Sequence, residues 1–370
     1  MGLLRRIRVH LGERAYDVLI GAGHLGSLGA EIRRRQLGTH AVVVSNRTIL
    51  RRHERALVAA LRRAGFPVRI LTIADSERSK GLPTLSRLLL RLAEGDGPGR
   101  RQFLVLAGGG VVGDLGGVAA GLYRRGVPYV QVPTTLLSQV DSAIGGKTGI
   151  DLPQGKNLVG LIVQPRMVFI ELNFLRTLPD RQFRSGFSEV IKCAVVGDPA
   201  LFSFLERSAP ARLRRDARGL AWVVGRAVAL KASLVAADER ESRGVRTLLN
   251  FGHTLGHGIE AACGYRRTYT HGEAVAIGMQ AAAEISLAMG RISPAHVRRI
   301  AALLNRFGLP TRLRGVGLRA LRAALAHDKK WAHGGNRWVL PTRIGRCVVC
   351  DRVPGRVVSR VMRRVMEDPG

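Results

Sequence analysis

Lysine is nearly missing from this 370-residue chain: only seven of its 59 basic residues are Lys, and the other 52 are Arg. Cysteine is also scarce, and four scattered Cys are too few for a disulfide framework, which fits a reducing compartment. Cys347 and Cys350 form a Cys-x-x-Cys with no second pair to complete a structural zinc site, and the run around them reads as a strand. No apolar run reaches the roughly 18 residues that a membrane helix needs. The opening run Met1-Gly-Leu-Leu-Arg-Arg-Ile-Arg8 lacks the apolar core of a secretory signal, so a cytoplasmic protein without a membrane partner is expected. Acidic residues number 27, which leaves a net charge of +32 and invites a nucleic-acid reading. The near-total preference for Arg over Lys points instead to a bias in coding composition. No specific nucleic-acid partner is expected.

The surviving Lys are informative by contrast. Where Arg has replaced Lys almost everywhere, a retained Lys marks a position that needs a compact ammonium and not a planar fork. This singles out Gly146-Lys147-Thr148, Gly155-Lys156-Asn157 and Glu189-Val-Ile-Lys192, with Lys80, Lys231, Lys329 and Lys330 completing the set.

Length and a hydrophobic content of 46% predict a globular chain of two domains. Continuous apolar runs at 41–45, 68–73, 102–107 and 129–132 read as buried strands. Helical periodicity at 49–64, from 80 to about 94, and at 111–123 separates them. Strands alternating with helices of this length make parallel βαβ units, so residues 1–178 are expected to form an α/β domain with a parallel sheet. From 179 to 370 the pattern is mainly helical, with helices at 181–196, 200–207, 221–237, 247–263, 271–289, 294–307 and 318–327.

The turn Gly108-Gly-Gly110-Val-Val-Gly113-Asp114 has Gly-x-Gly-x-x-Gly spacing between a strand and a helix, where backbone amides and the helix dipole suit a phosphate. It follows the third strand, not the first, and no acidic residue ends the next strand, so tight packing is the competing explanation. Thr134 and Thr135 follow Pro133 at the next strand end, placed either to cap a helix or to meet a ligand. Gly145-Gly-Lys147-Thr resembles the end of a P-loop, but Asp141 stands where the first Gly should be, so triphosphate hydrolysis is not supported. Lys147, Lys156 and Asn157 among glycines still suggest an anion site.

Three of the ten His lie within nineteen residues, at 253, 257 and 271. On a helix, His253 and His257 are i,i+4 and share a face. Thr254 follows the first, not the Glu of two-histidine metallopeptidases. Glu189 and Lys192 are i,i+3 among apolar neighbours. Together Glu189, His253 and His271 make a plausible three-ligand site with one position left open, as catalytic zinc requires.

At these residues the chain resembles the 3-dehydroquinate synthase family of sugar phosphate cyclases. The resemblance rests on 108–117, 131–149, Glu189-Val-Ile-Lys192, Asp238-Glu-Arg-Glu241, 249–257, 271–278 and Asp328-Lys-Lys330, in that order, and spans Glu77 to about Gly345. It implies an NAD-binding α/β domain, a helical domain carrying Zn2+ or Co2+, and a homodimer. The implied reaction closes 3-deoxy-D-arabino-heptulosonate 7-phosphate to 3-dehydroquinate with loss of phosphate. It proceeds by oxidation with NAD, β-elimination, reduction and aldol closure. The implied metal ligands are Glu189, His253 and His271. The implied NAD contacts are Glu77, Lys80, Gly109, Gly110, Val111, Asp114, Thr134, Thr135, Lys156, Phe174 and Thr177.

By the same resemblance, Lys147, Lys192, Glu241, Asn250 and His257 are catalytic. Asp141, Asn157, Lys231, Arg246 and one of Lys329 and Lys330 bind substrate, and Arg125 reaches the partner subunit's site. Three positions depart from the family pattern. Ser185 stands where an Asn contacts NAD, Ser45-Asn46 replaces an acidic ribose-binding position, and one extra residue lies between Glu241 and Arg246. A sibling cyclase acting on another sugar phosphate is the nearest rival, but retention of both Lys231 and Arg246 favours an acid substrate. A metal- and NAD-dependent polyol dehydrogenase would not need the phosphate-binding group.

Overall fold

A computed structural model describes residues 2–264, 268–326 and 337–366. The chain forms two compact units: Met1–Leu178 with Arg214–Ala236, and Pro179–Leu213 with Ala237–Gly370.

The first unit is built on a seven-stranded sheet. Its strands are β1 (Leu3–Val9), β2 (Tyr16–Gly21), β3 (His40–Asn46), β4 (Val68–Ile73), β5 (Gln102–Gly108), β6 (Tyr129–Pro133) and β9 (Met167–Glu171), in the order β1-β2-β9-β6-β5-β3-β4. Only the β1–β2 pair is antiparallel. β-Branched runs such as Ala-Val-Val-Val-Ser (41–45) suit strands buried on both faces. Ala41 and Val43 pack with Leu28 and Ile32 of α1 (Leu28–Arg34) and Leu57 and Leu61 of α2 (Arg47–Arg63). Val42 and Val44 face the opposite layer with Leu85 and Leu88 of α3 (Leu82–Glu94) and Leu115 and Val118 of α4 (Gly110–Leu122). The pleat therefore sends alternate residues of one strand into two separate cores.

The chain winds outward in one direction from β3 to β4 and in the other from β5 to β6. The switch point therefore falls between β3 and β5. In open α/β sheets ligands bind beyond the carboxyl ends of the strands at such a point, and the glycine turn at 108–114 follows β5 there.

A two-stranded hairpin, β7 (Lys147–Leu152) with β8 (Gly155–Ile162), also belongs to this unit. The sequence reading did not foresee it. Leu158, Val159, Leu161 and Ile162 of β8 are 36–41% exposed, so the run has none of the buried periodicity that marks the other strands.

One segment is assigned differently from the sequence expectation. Arg214–Ala236 was placed with 179–370 because its pattern is helical, yet it belongs to the first unit. A helical period does not say which core buries the helix. Here Arg214 donates to the carbonyls of Leu175 and Leu178, and Lys231 on α8 (Ala217–Ala237) pairs with Asp141. The same helix corrects the expectation that no apolar run reaches the length of a membrane span. It is long and apolar enough to cross a membrane, with a mean hydropathy of 1.6, although 56% of that stretch is buried within the protein.

Among the described residues, the second unit is helical apart from one antiparallel hairpin, β10 (Trp338–Arg343) with β11 (Arg346–Cys350). Its helices include α5 (Asp180–Gly197), α6 (Pro199–Arg207), α9 (His253–Ala262), α10 (His271–Ala288), α11 (Pro294–Arg306) and α12 (Leu318–Ala326), followed by a last described helix Gly355–Val365. The expected helix 247–263 is two pieces. A 3-10 turn spans Arg246–Asn250, and Gly252 takes a left-handed φ of +83 before α9 starts at His253. Glycine is required there, because a Cβ would come 2.7 Å from Val275 O and 2.9 Å from Met279 N on α10. The break makes His253 the first residue of its helix. The four cysteines form no disulfide.

Candidate functional site

In the second unit, α5 carries Glu189 and Lys192 one turn apart, both 2% exposed or less, and their side chains form an ion pair. His253 opens α9 and His271 opens α10. One ligand atom from each of Glu189, His253 and His271 lies within 4.8 Å of the others. Both histidine Nε2 atoms are 3.6 Å from Glu189 Oε1, a buried oxygen that accepts no hydrogen bond. An orphaned buried carboxylate oxygen facing two imidazoles leaves a strong acceptor unsatisfied, which a cation would relieve. Burial works against charge on His271, but the carboxylates of Glu189 and Glu260 outweigh it and raise its pKa to about 10. The site thus favours positive charge, and two nitrogens with one oxygen fit Zn2+ or Co2+.

Around this cluster, His257 is exposed on α9 with its ring centroid 5.3 Å from that of His253. Asn250 Nδ2 donates to Glu241 Oε1 at 2.8 Å. Glu241 has a φ of +58, a strained conformation for a residue with a side chain, within the loop that carries the extra residue. Asp238, 3% exposed, shapes that loop by accepting from the amides of Ser242, Arg243 and Arg246. Arg246 is 4% exposed and donates to Glu239 O at 2.6 Å. Ser185, where the family pattern has an Asn, lies on α5. Its hydroxyl is buried and accepts from Gly272 N at 3.1 Å, beside His271. Lys329 and Lys330 lie outside the described residues.

In the first unit the cofactor candidates follow the carboxyl ends of four strands: Glu77 and Lys80 after β4, Gly109, Gly110, Val111 and Asp114 after β5, Thr134 and Thr135 after β6, and Phe174 and Thr177 after β9. Helix α4 starts at Gly110 with no side-chain cap on its first amides. A Cβ on Gly109 would come 3.3 Å from Thr135 Cγ2, so glycine keeps that approach open. Thr134 Oγ1 is buried and has no partner, whereas Thr135 caps the next turn through Ser138. Uncapped amides, bare glycine backbone and an unsatisfied hydroxyl fit a dinucleotide.

Lys80 is 5% exposed and donates to Asp114 Oδ2 and Asn157 Oδ1, each at 2.5 Å. Burial opposes its charge, but the Asp114 carboxylate prevails and raises its pKa. Lys156 lies 3.7 Å from Glu77 Oε1. Phe174 is buried in the core, and Thr177 donates to its carbonyl. Lys231 Nζ donates to both Asp141 O and Oδ1 at 2.6 Å. A π-turn at Ser138–Ser142 carries Asp141. Lys147 is exposed and opens β7, not a helix, which agrees with the exclusion of a P-loop. Arg125 is exposed at a φ of +62.

Three neighbours of the site were not foreseen: Asp75, His53 and Glu260. Asn46, at the position where the family pattern is acidic, caps α2 and donates to Asp75 Oδ1 at 3.1 Å, so an acid stands beside it on the next strand's end. His53 packs edge-on against Phe174 at 4.6 Å. Glu260 lies 3.2 Å from His271 Nδ1, and its only sequence signal is that it lies two helical turns after His253.

With the geometry established, comparison with known proteins is decisive. The family model described as 3-dehydroquinate synthase N-terminal matches residues 70–185, and that described as 3-dehydroquinate synthase C-terminal matches residues 186–331. The chain belongs to the 3-dehydroquinate synthase family. A 3-dehydroquinate synthase of Pelobacter propionicus is 47% identical over 93% of this chain and 95% of its own length. One of Citrifermentans bemidjiense is 46% identical over 93% and 94%. Among solved structures, a 2-epi-5-epi-valiolone synthase from Streptomyces hygroscopicus with NAD+ and Zn2+ bound has a TM-score of 0.86 at 29% identity, covering 96% of this chain and 98% of that one. A 2-deoxy-scyllo-inosose synthase complexed with carbaglucose-6-phosphate, NAD+ and Co2+ has the same TM-score at 26% identity, covering 98% and 100%.

Proposed function

We propose that this member of the 3-dehydroquinate synthase family is a phosphorus-oxygen lyase that converts 3-deoxy-D-arabino-heptulosonate 7-phosphate to 3-dehydroquinate and phosphate. The observation that carries the reading is the convergence of Glu189, His253 and His271 in a chain 46–47% identical to 3-dehydroquinate synthases. The solved relatives with NAD+ and Zn2+ or Co2+ support the same cofactors here.

NAD, which Gly109, Gly110, Asp114, Thr134 and Thr135 would hold, would supply reversible hydride acceptance and so would not be consumed. Glu189, His253 and His271 would hold a divalent ion, which would supply Lewis-acid chemistry. The chain's own groups do the rest. Lys147 and Asn157 in the first unit, and Asn250 and His257 in the second, each offer N–H donors suited to the charge of a leaving phosphate. Lys192, buried beside Glu189, keeps an ammonium at the same cluster. Lys231 in the first unit and Arg246 in the second are each suited to a substrate carboxylate, Lys231 by exchanging part of its present bonding to Asp141. Glu241 Oε1 and the His257 ring are the groups that move protons, and Asn250 orients the first of them.

A homodimer and a cytoplasmic location belong to the same proposal. The exposed apolar residues of β8 support self-association, since clustered exposed apolar groups mark interaction surfaces. NAD-dependent biosynthesis fits the cytoplasm.

The test is phosphate release from 3-deoxy-D-arabino-heptulosonate 7-phosphate with catalytic NAD, with and without a chelator. Release that requires NAD, forms no net NADH, stops on chelation and yields a product of dehydroquinate mass is the expected result. Folded, metal-loaded, NAD-bound protein that releases no phosphate would direct attention to the substrates of the sibling cyclases.

A further inference from the structure

His271 is fixed from several sides. Gly272 N donates to Ser185 Oγ, and Thr270 and Glu273 close a capping box around the start of α10. These bonds hold the backbone. The ring itself is addressed by Glu260, whose Oε2 lies 3.2 Å from Nδ1 and whose side chain is 11% exposed.

We propose that Glu260 is a positioning residue of the metal site, accepting the Nδ1 proton of His271 so that the Nε2 lone pair is left for the ion. The inference rests on the metal reading given above and goes beyond its three ligands. An ionised carboxylate can only accept a hydrogen bond, so Nδ1 must carry the proton. A neutral imidazole protonated on Nδ1 presents its lone pair at Nε2, the atom 3.6 Å from Glu189 Oε1. His253 is held differently, with its Nδ1 3.3 Å from the carbonyl of Phe251. The two imidazoles are therefore unequal ligands, one backed by a neutral carbonyl and the other by a full negative charge.

Charge counting leads to the same conclusion. Glu189 and Glu260 bring two negative charges to the cluster and Lys192 one positive charge. Without Glu260 the Lys192 ammonium cancels Glu189, and the site presents no net negative charge to a divalent ion.

The experiment uses the full chain with Glu260→Ala and Glu260→Gln. Zn2+ affinity is measured by competition with a chromophoric chelator, and the Co2+ form by its visible absorption. Loss of a carboxylate behind a ligating histidine typically weakens metal binding about 10- to 100-fold, and that is expected for E260A with an altered Co2+ spectrum. E260Q should lose less, because its amide oxygen still accepts from Nδ1. NAD affinity should be unchanged in both, which separates a metal defect from misfolding. Zn2+ affinity of E260A within about twofold of the unmodified chain overturns the inference. An unmodified chain that binds no Zn2+ overturns the metal reading as well, so the two failures are distinct.

Discussion

Replacing Lys80 by Met removes a buried ammonium while keeping the aliphatic volume. Lys80 is 5% exposed, with Asp114 Oδ2 and Asn157 Oδ1 each 2.5 Å away. Removing one partner of a buried pair costs about 3–5 kcal/mol, since the other charge is left uncompensated. The Asp114 side chain is 18% exposed, so water relieves part of this and the lower end, about 3 kcal/mol, is expected near neutral pH. The assay is urea unfolding of NAD-free protein, read by a probe in the first unit. A companion variant, K80M/D114N, removes the stranded carboxylate and should recover most of the loss.

The pH dependence follows from the signs. The pKa of Lys80 is raised above 10.5 in the folded protein, so its contribution is complete below that value and fades as pH rises through the folded pKa. Burial raises the pKa of Asp114 above 3.8 even against Lys80, so protonation begins early on acidification and the K80M penalty shrinks there. The gap between K80M and the unmodified chain should therefore be widest between these limits. A K80M chain within about 0.5 kcal/mol of the unmodified one, or a double variant no more stable than K80M, would refute the reasoning.

Two further outcomes are expected. Lys231→Met removes charge-assisted bonds worth about 1.5–3 kcal/mol, so kcat/KM should fall roughly 10- to 150-fold with NAD affinity intact. An unchanged kcat/KM would exclude Lys231 from substrate binding. Ile162→Glu places a charge on the exposed apolar strand β8 and should shift sedimentation from dimer to monomer. A dimer of undiminished affinity would exclude that strand from the interface.

How much was legible in the sequence depended on burial. The continuous runs at 41–45, 68–73, 102–107 and 129–132 correspond to β3, β4, β5 and β6, because strands covered on both faces must be apolar throughout. The hairpin β7–β8 left no such trace, since most of β8 is exposed. The period of 247–263 continued across Gly252, so the break could be found only from the close approach of α10. The metal triad was legible because histidines are rare and three of them fall within nineteen residues, although His253 and His271 open different helices. Glu260 was not, because an acidic residue two turns along a helix also describes an ordinary solvated face, and only the fold brings it to His271.

The lysine contrast can now be stated physically. Lys80, Lys192 and Lys231 are 5%, 2% and 6% exposed, and each faces a carboxylate. Lys80 meets two acceptor atoms, and Lys231 meets Asp141 twice. A guanidinium in those pockets would bring five donors, and each one buried without an acceptor costs about 1–3 kcal/mol. Arg can therefore spread over an exposed surface at little cost, yet it is excluded where a cation is enclosed by few acceptors. The residues that resisted the drift to Arg include those enclosed beside the candidate site. That is why composition alone pointed to the same loops and helices that the family motifs mark, while leaving their partners, 90 residues away in the case of Lys231 and Asp141, for the fold to reveal.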